Sequence, residues 1–73
     1  MVVQMSTNVA MYVAKAVSAY RLIQKLSQAQ LAEKVGVSRQ AIDQIERGNI
    51  TPSLKTLEAL ANAFGVRASD LLP

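Results

Sequence analysis

Within the run VSRQAIDQIERG, the residues Arg39, Gln40, Asp43 and Gln44 are of types that can read hydrogen-bonding edges. At about 100° per residue, a helix here puts Ala41, Ile42 and Ile45 on one side. Gln40, Asp43, Gln44 and Arg47 share the other, with Arg39 at its edge. Only the first side suits a core. The second could be an ordinary solvated face, but such faces more often carry Lys and Glu. Arg and Gln make bidentate hydrogen bonds to guanine and adenine edges, each worth about 1–3 kcal/mol of base discrimination. They also fall in the first turns, the end that a recognition helix points into the major groove. Asp43 has two readings: it accepts from a cytosine amino group, or it faces solvent and limits non-specific attraction.

The elements that must hold these residues are helices. Ser38 caps the helix just described and Gly48 ends it. In LSQAQLAEKVGV, Ser27 followed by Gln30 has capping-box spacing, Leu31, Ala32 and Val35 form a stripe, and Gly36 supplies a left-handed exit. The helix opening at Gln28 offers free backbone N–H groups that could hold a phosphate at the groove edge. In NITPSLKTLEALANAFGV, Pro52 and Ser53 announce a further helix with Leu54, Leu57, Leu60, Ala61 and Phe64 facing inward and Gly65 as its stop. Gly36-Val37 and Gly65-Val66 repeat one device, in which the apolar residue after the glycine folds back on the helix it has left. Upstream, Ser6, Thr7 or Asn8 can cap a first helix in which Val9, Val13, Ala16, Val17 and Tyr20 recur towards Lys25. Glycine is expected at each stop. Ser69 to Leu72 forms a final helical turn. No β-branched run with a period of two occurs, so the class is all-α.

Composition narrows the chemistry. At 73 residues the chain is one small domain, of a size that buries roughly 60% of its unfolded surface. Cysteine and histidine are both absent, which removes disulfides, the usual zinc sites and the usual neutral-pH general base. No enzyme, metal site or cofactor is expected. A net charge of +3 helps approach to a polyanion without identifying one. The apolar opening MVVQMSTNVAMYVAKAV has no basic leader and is broken by Lys15, and no run reaches the ~18 apolar residues of a membrane span. A cytoplasmic protein is expected, with residues 1–8 as a tail or helix extension and 9–73 as the domain. Val2, Val3 and Met5 leave three readings open: a frayed tail, a dimer contact, or a lid on Leu71-Leu72.

LSQAQLAEKVGVSRQAIDQIERGNITPSLKTLEALANAFGV resembles the helix-turn-helix of the lambda-repressor-like family, which includes phage Cro and repressor proteins and xenobiotic-response-element-type bacterial regulators. The likeness runs from about Val13 to Leu72. It is carried by LSQAQLAEKVGVS, with Ala32 at the close helix contact and Gly36 in the turn, then by IERG and TPSLKTLEALANAFGV. The resemblance implies a compact five-helix domain. It implies that Gln28 contacts backbone and buttresses Gln40, and that Ser38, Arg39, Gln40 and Gln44 contact bases and phosphates. It also implies that Arg21 and Glu46, which alone would read as two surface charges, form a partly buried ion pair with a structural role. The loop Gly48 to Ser53 carries no Lys or Arg, whereas some relatives clamp phosphate there. Asn49, Thr51, Ser53 and Lys55 remain as phosphate contacts.

The function expected is a sequence-specific DNA-binding transcriptional regulator, a homodimer on a two-fold operator of double-stranded DNA. The alternative is a protein-interaction module of antitoxin type, holding a protein partner through helix three or the apolar N-terminus.

Overall fold

The computed structural model describes the backbone from Gln4 and the side chains from Val9. The readings placed on Val2, Val3 and the side chain of Met5 lie outside the described residues. Four α-helices and one 3₁₀ turn follow in order: α1 Gln4–Ile23, α2 Gln28–Val35, α3 Arg39–Glu46, α4 Leu54–Phe64, and the turn Ala68–Leu71. No strand occurs among the described residues. The class is all-α, but the fifth helix implied by the resemblance is only a four-residue 3₁₀ turn. Leu72 precedes Pro73 and is extended at φ −114°, ψ 152°, the conformation that a following proline imposes, so the turn cannot propagate.

Three of the helix starts follow from serine. Ser27, Ser38 and Ser53 each accept a hydrogen bond from the backbone N–H three residues on. In α2 the side chain of Gln30 also accepts from the Ser27 N–H, at 2.8 Å, completing the capping box. α1 instead begins at Gln4, ahead of the caps expected at Ser6 to Asn8. No Gly or Pro interrupts residues 4–8, so nothing local stops the helix from extending back.

Three stops are made as the sequence suggests, at Gly36, Gly48 and Gly65. Gly36 and Gly65 take φ of +84° and +77°, and Val37 and Val66 donate back to Ala32 and Ala61. α1 departs from the pattern, because its left-handed residue is Lys25 at φ +59° and not a glycine. The bonds Lys25 N to Leu22 O and Leu26 N to Arg21 O, both 3.0 Å, close a Schellman turn despite the side chain.

The core collects the apolar stripes: Val13 and Val17 of α1, Leu31 and Ala32 of α2, Ile42 and Ile45 of α3, Leu57, Leu60, Ala61 and Phe64 of α4, and Leu71. Each large side chain so buried contributes about 1.5–3 kcal/mol. Tyr20 stacks on Phe64 with ring centroids 5.4 Å apart, and Gln24 Nε2 donates to the Phe64 carbonyl at 2.8 Å, so α1 is fastened to the end of α4. Leu54, expected to face inward, is 67% exposed. It is the first residue of α4, a turn ahead of Leu57, where the helix has run past the core. Among the described residues, no helix is long and apolar enough to cross a membrane.

Candidate nucleic-acid interface

α3 is anchored from behind and open in front. Ile42 and Ile45 are fully buried, which fixes the rotation of the helix about its axis and leaves Arg39, Gln40 and Gln44 exposed on the outer side. Ser38 Oγ accepts from Ala41 N at 3.0 Å and so sets where the helix starts. At the other end Gly48, at φ +75°, lets Gly48 N reach Ile45 O at 3.0 Å and Asn49 N reach Gln44 O at 3.1 Å. Asn49 Nδ2 also donates to Gln44 Oε1 at 2.9 Å, fastening the following loop to the exposed face of the helix.

A continuous polar network joins this face to the interior. Arg21 donates through Nε to Glu46 Oε2 at 2.6 Å, through Nη2 to Glu46 Oε1 at 3.0 Å, and through Nη1 to the Leu26 carbonyl at 2.9 Å. Both partners are largely sheltered, with side chains 14% and 8% exposed. Gln28, the first residue of α2, donates its amide nitrogen to Asp43 Oδ1 and Glu46 Oε1, each at 3.3 Å. Two carboxylates on the nitrogen side force the amide oxygen outward, where it accepts from Arg39 Nη1 at 3.1 Å. Asp43 Oδ2 accepts from Arg47 Nε at 2.8 Å.

The charges respond accordingly. Burial pushes the Glu46 carboxyl up, but hydrogen bonds from Arg21, Gln28 and Ser18 and the Arg21 charge outweigh it and hold the group below its usual range. Asp43 is likewise held low, first by its bond to Arg47 and then by that to Gln28. The bond to Glu46 raises Arg21 further, so the guanidinium stays charged.

The expected site residues separate into groups. Gln28, Arg39 and Asp43 are brought into direct contact, and Gln40 and Gln44 lie on the same exposed side of α3. Among the described residues Gln28 makes no hydrogen bond to Gln40, the residue it is expected to buttress. Its oxygen is engaged by Arg39, because the first residue of α3 lies next to the start of α2, while Gln40 is about 100° further round the helix. The hydroxyls of Ser38 and Ser53 are both used as helix caps. Thr51 and Lys55 are exposed beyond the end of α3. Arg47 is not among the expected contacts, although its i,i+4 spacing from Asp43 signals the pair observed.

Comparison with known proteins agrees with this geometry. A family model described as helix-turn-helix matches residues 17–71. The immunity repressor protein of Bacillus phage phi105 is 45% identical over 62 residues, 85% of this chain and 43% of the repressor, so the chain spans less than half of that relative. A helix-turn-helix-type transcriptional regulator of Methanocaldococcus jannaschii is 48% identical over 52 residues, 71% of this chain and 79% of the regulator. Among solved structures, the restriction-modification controller protein C.AhdI of Aeromonas hydrophila superposes with a TM-score of 0.83 at 27% identity, covering 86% of this chain and 96% of that one. With an exposed polar α3 set against α2 by a glycine turn, and a family match over most of its length, the chain belongs to the helix-turn-helix family.

Proposed function

We propose that the chain is a sequence-specific DNA-binding transcriptional regulator that sets the N-terminal half of α3 in the major groove. The observation that carries this reading is the face formed by Arg39, Gln40 and Gln44, exposed while Ile42 and Ile45 behind it are buried. Arg39 and the glutamines then read base edges. Gln28 and Ser38 at the helix starts, with Asn49, Thr51, Ser53 and Lys55 beyond α3, supply backbone contacts. The relatives named as an immunity repressor and as a transcriptional regulator support the same assignment.

One small domain makes few contacts, so the regulator acts as a homodimer on an inverted repeat whose half-sites lie about 34 Å, one helical turn, apart. Such a regulator works in the cytoplasm, associated with the nucleoid. The test is selection of bound duplexes from a random pool by the purified chain at near-physiological salt. An enriched inverted repeat supports the reading, and a folded chain that enriches nothing removes it.

A second reading, a protein-interaction module, draws on the outer face of α1. Leu22 and Ile23 there are 63% and 75% exposed, with Met11 and Tyr12 also open. Under that reading, Arg39→Ala with Gln40→Ala leaves partner binding intact. Under the first, the same pair of changes abolishes DNA binding.

A further inference from the structure

Arg39, Asp43 and Arg47 stand at i, i+4 and i+8, so they form one strip along α3 with charges in the order plus, minus, plus. The two arginines are held differently. Arg39 spends an Nη on Gln28. Arg47 is bonded to Asp43 through Nε alone, its side chain is 65% exposed, and neither of its Nη groups donates within the described residues. Asp43 is itself fixed, its second oxygen being taken by Gln28 from α2. A guanidinium held at Nε by a carboxylate leaves its Nη1–Nη2 edge available, in the fork geometry that matches phosphate oxygens. The segment that follows, Gly48 to Ser53, contains no cation, so Arg47 is the basic residue at this end of the helix.

We propose that Arg47 clamps a backbone phosphate of bound DNA and that Asp43 is the positioning residue that aims it. The proposal rests on the DNA-binding reading above and adds to it a contact beyond the base-reading turns, at the C-terminal end of α3. It also assigns Asp43 an internal role, in place of reading cytosine.

The test is the salt dependence of binding, measured on the selected operator and on a random duplex. Each phosphate contact contributes about 0.9 to the slope of log affinity against log salt. Arg47→Met therefore lowers that slope by about 0.9 on both duplexes, and its affinity deficit shrinks about 3.5-fold between 50 and 200 mM salt. Arg67→Met, which removes an 85% exposed arginine beside the 3₁₀ turn, leaves the slope as it was. Asp43→Asn is measured with Arg47 intact and in the Arg47→Met background, with folding of every variant checked by circular dichroism. If Asp43 acts through Arg47, its effect on operator affinity differs at least threefold between the two backgrounds. An unchanged slope for Arg47→Met, or equal effects of Asp43→Asn in both backgrounds, overturns the proposal while a wild-type chain that binds its operator leaves the DNA-binding reading standing. A wild-type chain that binds no DNA overturns both.

Discussion

Arg21 Nε of α1 lies 2.6 Å from Glu46 Oε2 of α3, and the same guanidinium holds the Leu26 carbonyl in the turn before α2. One buried-edge cation thus ties α1, the turn before α2 and α3 together, directly behind the face proposed to read DNA. Removing one partner strands the other charge. Arg21→Met is expected to cost about 3–5 kcal/mol in chemical denaturation. Arg21→Met with Glu46→Leu removes both charges and is expected to recover most of that loss. A double variant no more stable than Arg21→Met alone would mean that the pair is worth more than its desolvation cost.

The lowered carboxyls fix the sign of the pH response. Glu46 and Asp43 both sit below their ordinary ranges in the folded chain, so folding favours their charged forms. Their contribution is fully present above the unfolded carboxylate values, about 4. It is lost as pH falls through the lower folded values. Stability is therefore expected to be level from neutrality to about pH 5 and to decline below that. In Glu46→Gln the decline is expected to be shallower, as read by denaturant midpoints across the acid range.

Three left-handed positions make a graded test. Gly36 and Gly48 have φ of +84° and +75°, and alanine at either is strained by about 1–2 kcal/mol. At Gly36 an added Cβ meets open space, whereas at Gly48 it would lie 2.5 Å from Met11 Sδ. Gly48→Ala is thus expected to cost more than Gly36→Ala, and the excess to disappear in a Met11→Ala background. At Lys25, where a side chain already bears the strain, Lys25→Gly is expected to stabilise by up to about 1 kcal/mol. Thermal or denaturant melts of the set decide it.

Base preference separates readout from attraction. Arg39→Ala and Gln40→Ala are each expected to lose about 1–3 kcal/mol on the selected operator, with relaxed preference at one base position. Lys55→Met is expected to weaken all duplexes about equally. Equal losses on every sequence for Arg39→Ala would refute its readout role.

Most of the helical layout is legible in local signals. The serines at 27, 38 and 53 and the glycines at 36 and 65 act through neighbours three to five residues away, so the chain alone reveals them. Three features are not legible in this way. Lys25 adopts a glycine's conformation because Arg21, Gln24 and Leu26 hold the turn on both sides. Leu54 fits the stripe of α4 by spacing, but spacing does not say where a helix outruns its core. Gln28 turns to Arg39 because Asp43 and Glu46, 15 and 18 residues away in sequence, orient its amide. The exposed face of α3 could be read from period and residue type, while its internal bracing depends on contacts between helices.

If the outer face of α3 meets DNA, binding leaves its mark on that face first. Amide chemical shifts of the labelled chain, followed while the selected duplex is added, test it most directly. Perturbations are expected to concentrate at Gln28, at Ser38 to Gln44 and at Arg47 to Asn49, with the outer face of α1 unmoved. Perturbations centred on Tyr12, Leu22 and Ile23, with the Arg39 to Gln44 amides unchanged, would contradict it.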